Sequence, residues 1–328
     1  MTDRHYGPAR WRIIAAFAAI YTVWGSTYLA IKLAIATLPP FLMAGFRFVL
    51  AGSVLYAISR LRGAAKPRPI HWRTAAILGF MLVGFGNGGV VWAEHRVPSG
   101  LTAVLVALVP LWTALLQWLR PGGERPSGVA LAGFGLGFLG MVLLVSPGYL
   151  AGGGQVDPAG AGLLVVSSLT WAAASIYAHD GAPQPASPFL AAGMQMFLGG
   201  CFLLVAGTVT GEWTRLDLAV ASRQSLVAFG YLVLVGSLVG YTAFVWLLKV
   251  STPSRVATYA YVNPVVAVFL GWVFVGEPLT PRTLVAAGII VAAVILITTF
   301  RSRGVHAPEP STTMVPEVKD EDELMVRV

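Results

Sequence analysis

The chain has 328 residues, of which 56% are hydrophobic and 11% are charged, and its formal net charge is +8. Soluble proteins contain about 25% charged residues, so this chain has more apolar surface than a soluble fold of the same length can bury. The composition therefore excludes a soluble protein. The basic residues lie beside apolar runs and form no single patch, so membrane topology explains the charge and no nucleic-acid partner is expected.

The first apolar run extends from about residue 13 to residue 33 and follows three arginines. It is longer than the apolar region of a signal peptide, which has about 7 to 15 residues, so we interpret it as a retained transmembrane helix. A helix needs about 20 apolar residues to cross the hydrocarbon core. By this criterion, nine further spans are predicted at residues 41–59, 74–93, 99–119, 128–146, 159–178, 188–208, 226–248, 254–275 and 282–300. The expected fold is an all-α integral membrane protein with ten transmembrane helices.

An internal repeat relates the two halves of the chain. Residues 97–127 and 252–281 each have a Pro-Ser start, an apolar run with a central proline, and a glutamate shortly before another proline. AGFRFVLAGSVL at residues 44–55 matches AGMQMFLGGCFLL at residues 192–204. Each copy holds five spans, and five is odd, so the second copy should enter the membrane inverted, as in many secondary transporters. The predicted organisation is a cytoplasmic N-terminal tail (1–12), a first five-helix repeat (13–150), a second, inverted repeat (151–300) and a disordered acidic cytoplasmic tail (301–328).

The central prolines of the fourth and ninth predicted spans are Pro110 and Pro264. A proline in mid-helix removes a backbone hydrogen bond and bends or breaks the helix. In a bilayer this is tolerated only where protein or cavity water satisfies the freed groups. We therefore predict helix kinks at both prolines, whereas Glu124 and Glu277, in the loops that follow, are interpreted as capping or turn residues.

The distribution of lysine and arginine predicts the orientation in the membrane. Sixteen of these residues lie in loops on the side of the N-terminus and five on the opposite side. Cytoplasmic loops carry the excess of basic residues, so both termini are expected in the cytoplasm, with the protein in the cell (inner) membrane.

Five short motifs occur in order along the chain: WGSTYLAIK (24–32), MAGFRF (43–48), GNG (86–88), AEHRVPSG (93–100) and YAYVNPVVAVFLG (259–271). Their order and the five-plus-five repeat resemble the drug/metabolite transporter superfamily, in particular the EamA family of ten-span exporters and its YedA-like branch. The resemblance covers about residues 11–300. It implies export of amino acids, related metabolites or drugs by alternating access through a central cavity, and it identifies no particular substrate.

Aromatic and polar residues recur at a spacing of four in the first, sixth and ninth predicted helices, which places them on one face of each helix. Such a face is costly in lipid and should point inward. The predicted substrate cavity consists of Trp24, Tyr28, Asn87, Trp171, Ser175, Tyr259 and Asn263. The alternative is that the aromatic side chains fill gaps between helices or lie in interfacial belts.

Charged residues near the predicted spans are few. A charge at this depth costs about 2 to 3 kcal/mol when unpaired, and Glu94 is the only acid available to Arg47, so we predict that these two side chains pair. The repeat relates an outer charged cluster to an inner one. We predict an outer gate of Lys32, Arg47, Glu94 and His95, and an inner gate of His179, Asp180 and Lys249. The alternative is static ion pairing that stabilises the fold.

The sequence contains no HExxH or GxSxG motif and no Cys-His set, so no enzyme, metal or cofactor is expected. The expected partners are a small-molecule substrate and the lipid bilayer. Proton coupling through Glu94 or His95 and facilitated transport are both compatible with the sequence, as are a monomer and a weak homodimer. A channel is the remaining alternative. The two are distinguished by their flux, which saturates with solute concentration for a carrier and does not for a channel.

Overall fold

The computed structural model describes residues 9–121, 127–145, 157–277 and 279–299. Helices account for most of these residues. They are α1 (Arg10–Ala34), α2 (Pro40–Leu61), α3 (Pro69–Leu78), α4 (Gly88–Ala93), α5 (Ser99–Val106), α6 (Val109–Trp118), α7 (Gly128–Val145), α8 (Pro158–His179), α9 (Pro188–Val209), α10 (Arg223–Tyr231), α11 (Thr242–Val250), α12 (Pro253–Val256), α13 (Tyr259–Val275) and α14 (Pro281–Thr299). Two π-helical segments, Gly79–Asn87 and Leu232–Tyr241, join α3 to α4 and α10 to α11, and a short 3₁₀ helix spans Glu212–Arg215.

Helical structure occupies all ten predicted spans within these described ranges. Seven helical stretches there are long and apolar enough to cross a membrane, and two shorter apolar helices, Val262–Val275 and Leu284–Ala293, lie in the ninth and tenth predicted spans. The prediction of an all-α membrane protein is therefore confirmed. Helix α1 already begins at Arg10, within the predicted N-terminal tail. The predicted disordered tail at residues 301–328 and Glu124 lie outside the described residues.

Helices α2 and α9 cross at pairs of glycines. A Cβ atom at Gly52 would lie 2.7 Å from the Gly193 carbonyl oxygen, and one at Gly200 would lie 2.9 Å from that of Gly45. Low numbers on one helix meet high numbers on the other, so α2 and α9 run antiparallel. The sequence repeat aligns Gly45 with Gly193 and Gly52 with Gly200. Replacing each glycine by its equivalent in the other repeat therefore turns the Gly52–Gly193 contact into the Gly200–Gly45 contact.

Other helices also pack so that equivalent helices of the two repeats make equivalent contacts. Helices α7 and α14 also run antiparallel, since Gly137 lies against Ala293 and Gly140 against Ile290. Helix α1 contacts α13 and the second π-helical segment, and its repeat equivalent α8 contacts α6 and the first π-helical segment. The first helix of each repeat therefore packs against helices of the other repeat.

The two prolines predicted to kink helices occupy different local structures. A turn at Ala107–Leu108 separates α5 from α6, and Pro110 is the second residue of α6. A proline at this position loses no hydrogen bond, since the N–H it lacks would have no partner within the helix. Pro264 lies inside α13. The interruption predicted midway through this span occurs earlier, at Ala257–Thr258, where the Thr258 hydroxyl is hydrogen-bonded to the Tyr21 hydroxyl of α1.

Glu277 caps the start of α5, in agreement with its predicted capping role. Its carboxylate accepts hydrogen bonds from the Ser99 backbone nitrogen (2.8 Å), the Ser99 hydroxyl (2.9 Å) and the Gly100 backbone nitrogen (3.2 Å). The first four N–H groups of a helix have no intrahelical acceptor, and the helix N-terminus attracts negative charge. This contact joins the end of α13 to the start of α5, and therefore one repeat to the other.

We expect Glu277→Ala to lower the free energy of unfolding by about 1–2 kcal/mol, because two backbone N–H groups lose their acceptor. Thermal melting of purified protein in detergent would measure the effect. Glu277→Gln retains one acceptor oxygen and should fall between wild type and Glu277→Ala. An unchanged melting temperature for Glu277→Ala would contradict a stabilising role for the cap.

Candidate functional site

A cavity of about 60 Å³ lies between the two repeats. Its lining comes from α1, α2, α4, α5 and the first π-helical segment on one side, and from α8, α13 and the second π-helical segment on the other. Pockets that bind small molecules commonly measure about 300 Å³ or more. The present volume corresponds to about two water molecules. A metabolite would therefore enter this site only with movement of the surrounding helices or side chains.

Aromatic side chains form one wall of the cavity. The Trp24 ring centroid lies 5.6 Å from that of Trp171, 5.1 Å from that of Tyr259 and 5.1 Å from that of Phe244. Aromatic pairs in such geometry contribute about 0.5–1.5 kcal/mol each beyond their buried area. Trp24, Trp171 and Tyr259 line the cavity while they pack against one another. The two interpretations of the aromatic residues made from the sequence are thus compatible.

Glycines of the π-helical segments make room for the two tryptophans. A Cβ atom at Gly240 would lie 2.6 Å from Trp24 Nε1, and one at Gly86 would lie 2.9 Å from Trp171 Cε3. Each tryptophan therefore packs against a glycine of the opposite repeat. π-Helical turns are rare and occur frequently at functional sites. The hydrophobic pattern of the sequence does not predict them.

Five of the seven predicted cavity residues line the cavity, namely Trp24, Tyr28, Asn87, Trp171 and Tyr259. The placement of the other two is corrected. The Ser175 hydroxyl donates to the Trp171 carbonyl oxygen within α8 (2.7 Å). With its amide nitrogen turned towards these acceptors, Asn263 donates to the carbonyl oxygens of Tyr259 (3.2 Å) and Tyr21 (3.0 Å). Ser175 therefore satisfies a backbone group away from the cavity, whereas Asn263 satisfies two backbone groups and is also hydrogen-bonded to Tyr28, a residue of the cavity lining.

Several lining residues were not predicted. They include Ser167 and Ser168 of α8, Phe48 of α2 and Tyr241 at the end of the second π-helical segment. Ser167 precedes Trp171 by four residues and continues its helical face, so the spacing already present in the sequence could have identified it. The others follow from the way the helices are rotated against each other, for which the sequence carries no comparable signal.

Arg47 belongs to the cavity, and its predicted ion pair with Glu94 is not formed. The side chain is 2% exposed and lines the cavity. Its Nε donates to the Ser237 hydroxyl (2.8 Å), and its guanidinium carbon lies 4.5 Å from the centre of the Phe48 ring. The ion pairs among the described residues, formed within 4.0 Å, do not include Arg47. The arginine extends towards the second π-helical segment, which the sequence analysis had not placed beside α2.

The other predicted outer-gate residues make separate contacts. Lys32 Nζ donates to the backbone carbonyl oxygen of Glu94 (2.8 Å). The Glu94 carboxylate is fully buried, and neither of its oxygens has a hydrogen-bond partner among the described residues. His95 is exposed. Partial desolvation and the nearby Lys32 charge lower the pKa of the His95 imidazole, which disfavours its charged form.

The predicted inner-gate residues lie near one another, but each has a different partner. Asp180 pairs with Arg120, an arginine that the prediction had not included. Lys249 Nζ donates to the carbonyl oxygen of Pro185 (2.7 Å), and His179 Nδ1 is hydrogen-bonded to the carbonyl oxygen of Leu248 (3.1 Å). Exposed ion pairs contribute about 0–1 kcal/mol, so the Arg120–Asp180 contact can break at little cost.

Helices long and apolar enough to span a membrane, with a polar and aromatic cavity between two related halves, are typical of a membrane transporter. The model of the EamA-like transporter family matches residues 10–146 and, a second time, residues 158–299. The chain belongs to this family, as the motif order indicated, and it is a transporter and not an enzyme.

The relatives agree with this assignment. The chain is 38% identical over 301 residues to the uncharacterised inner membrane transporter YedA of Escherichia coli K12, covering 90% of this chain and 95% of YedA. It is 27% identical over 282 residues to protein PecM of Dickeya dadantii, covering 84% and 88% of the two chains. A solved crystal structure matches with a TM-score of 0.63 at 18% identity, over 89% of this chain and 98% of that chain. This likeness shows a shared fold.

Proposed function

We propose that this protein is a secondary transporter that exports amino acids, related small metabolites or drugs by alternating access through the cavity between its repeats. The observation that carries the proposal is the position of the cavity, whose walls come from both halves and include Trp24 from one and Trp171 from the other. Substrate sites of secondary transporters lie at such repeat interfaces near mid-membrane. An interface between the repeats that was filled by packed side chains, without a cavity, would have argued against transport.

The proposed architecture is two inverted five-helix repeats, residues 13–150 and 151–300, in the inner membrane. The antiparallel crossing of α2 and α9 supports it, because equivalent helices of inverted repeats traverse the membrane in opposite directions. We place both termini in the cytoplasm, including the tails at residues 1–12 and 301–328, on the basis of the basic loops. The protein acts within the lipid bilayer as a monomer or weak homodimer.

Gating requires contacts between the repeats that can break. Arg96 of the first repeat pairs with Asp157 of the second (3.2 Å), and Arg120 pairs with Asp180. Arg96 and Arg120 flank opposite ends of the fourth predicted span, so the two ion pairs lie on opposite sides of the membrane. We therefore propose that these pairs close the outer and inner entrances, with Lys32 and Glu94 beside the former and His179 and Lys249 beside the latter.

Transport can be tested with purified protein in liposomes and radiolabelled amino acids and metabolites. A carrier should show saturable uptake that increases when the liposomes are preloaded with unlabelled solute. A channel would show flux proportional to concentration and no stimulation by preloading. If no solute in a broad screen gives stimulated exchange, the transport proposal is wrong for these compounds and the cavity has another role.

Glu94 is the proposed proton-coupling group. Its carboxylate is buried without a hydrogen-bond partner among the described residues, and Lys32 lies close enough to interact with its charge. A buried carboxylate without partners is costly in the charged form, so binding and release of a proton should accompany movement of its surroundings.

We expect Glu94→Gln to reduce accumulation driven by a pH gradient at least about tenfold, because the amide cannot bind and release a proton. Exchange of labelled for unlabelled solute needs no net proton movement and should persist. Glu212→Gln is the matched control, since Glu212 is also buried but its oxygens accept hydrogen bonds from the backbone nitrogens of Phe41 and Leu42. Equal pH-gradient responses in Glu94→Gln and wild type would favour facilitated transport.

A further inference from the structure

We propose that Arg47 is the anion-binding residue of the cavity and that the transported solute carries a carboxylate that pairs with its guanidinium group. This inference rests on the proposed transport function and specifies its substrate class. It favours amino acids and other small carboxylates over the lipophilic cations that an aromatic cavity alone would also accept.

The first argument is that Arg47 has no paired counterion, although the buried Glu94 carboxylate lies close enough to interact with its charge. Its Nη1 atom is buried and has no hydrogen-bond acceptor within the part of the chain that the structure describes, and its Nε donates to a neutral hydroxyl, that of Ser237. No ion pair within 4.0 Å involves Arg47 among the described residues. A buried charge that no ion pair compensates is costly. A solute carboxylate that binds in the cavity would provide the missing counterion.

The second argument is the orientation of the guanidinium group. The contact with the Phe48 ring and the hydrogen bond to Ser237 hold it from two sides. A Cβ atom at Gly236 would lie 2.9 Å from Arg47 Nη2, so this glycine leaves room for the group to reach the cavity. A held guanidinium presents parallel N–H donors that match the two oxygens of a carboxylate.

The third argument is the distribution of the other polar atoms of the cavity. Asn87 and Trp171 line it, and their Oδ1 and Nε1 atoms are buried with no hydrogen-bond partner in the described ranges. The described lining contains no acidic residue, and Arg47 is its one cation. The site therefore offers a positive charge and a neutral acceptor, an arrangement that suits the carboxylate and the amino group of one amino acid. A solute with a positive charge alone would meet Arg47 without compensation.

The wild-type protein provides the first test. Purified transporter is mixed separately with a pool of neutral L-amino acids, with the amines formed by loss of their carboxyl groups, and with the carboxylic acids formed by loss of their amino groups. The melting temperature should rise with the amino acids and the carboxylic acids and stay unchanged with the amines. Stabilisation by the amines equal to that by the acids, or no stabilisation by either carboxylate pool, would overturn the proposal.

Variants of Arg47 provide the second test. Arg47→Gln should weaken binding of the amino-acid pool about 10- to 100-fold, the value of a hydrogen-bonded charge pair, and should abolish the preference for acids over amines. Arg47→Lys keeps the charge but loses the paired donors and should have an intermediate effect. Arg62→Gln, an exposed arginine just after the same helix, is the control and should bind like wild type. Unchanged binding and preference in Arg47→Gln would exclude the assignment.

Folding and transport are controlled separately. Without solute, Arg47→Gln should melt at or above the wild-type temperature, because it removes a buried unpaired charge. A lower melting temperature would contradict the cost of a buried arginine without a paired counterion, on which the inference rests. Liposome exchange separates the two proposals: exchange of amines but not of carboxylates would refute the substrate class while transport stands, and the absence of exchange with every pool would count against both.

Discussion

Gly52→Ala should destabilise the protein by at least about 3 kcal/mol, at the upper end of the cost of overpacking a well-packed interior. The added Cβ would lie 2.4 Å from the backbone nitrogen of Phe197 and 2.7 Å from the carbonyl oxygen of Gly193. Backbone atoms cannot rotate away as a side chain can, so α2 and α9 would have to separate. Thermal melting in detergent and the monodisperse yield on size-exclusion chromatography would measure the loss.

A matched control is Gly162→Ala in α8, where a Cβ atom would meet nothing within 4 Å. This variant should match the wild-type yield or exceed its stability slightly, because alanine favours the helix over glycine. Gly193→Ala should behave like Gly52→Ala, since its Cβ would lie 2.8 Å from the backbone nitrogen of Tyr56. Wild-type melting temperatures for both interface variants would show that the crossing is looser than these contacts require.

Trp24→Ala should have the largest effect on transport, a loss of at least about tenfold in exchange at equal amounts of folded protein. Trp24 is the ring that contacts Trp171, Tyr259 and Phe244 together, so its removal takes away one cavity wall and support for the rest. Truncation of a packed tryptophan also costs about 3–5 kcal/mol of stability. Exchange must therefore be measured per folded transporter, with the melting temperature recorded beside it.

Two further variants separate cavity function from general loss of packing. Trp24→Phe retains an aromatic wall and should keep most of the exchange rate, whereas Trp171→Ala should resemble Trp24→Ala. Trp272→Ala is the control, because this tryptophan on α13 is 52% exposed on the outer surface of the helix bundle. If Trp24→Ala and Trp171→Ala both exchange solute as fast as Trp272→Ala, the assignment of the cavity as the transport site is wrong.

The charged residues show where prediction from the sequence succeeds and where it stops. Their scarcity identified Arg47 and Glu94 as informative positions, and both prove to be buried. Their predicted pairing was wrong, because Arg47 instead contacts Ser237, a residue 190 positions away in the chain. The choice between these partners depends on helix rotation and on the depth at which each side chain ends, and neither quantity is encoded locally.

The sequence by itself determined the helical class, the places of the ten helical regions and the repeat with its aligned glycines. These features depend on local properties, since about 20 apolar residues in a row predict a membrane helix wherever they occur. Only the tertiary structure decided which side chains face the cavity, where the π-helical segments widen the helices, and that Asp180 pairs with Arg120. These features depend on how helices distant in sequence are rotated and packed against each other. The partner of each side chain is set by the shape and charge of the residue that packing places beside it.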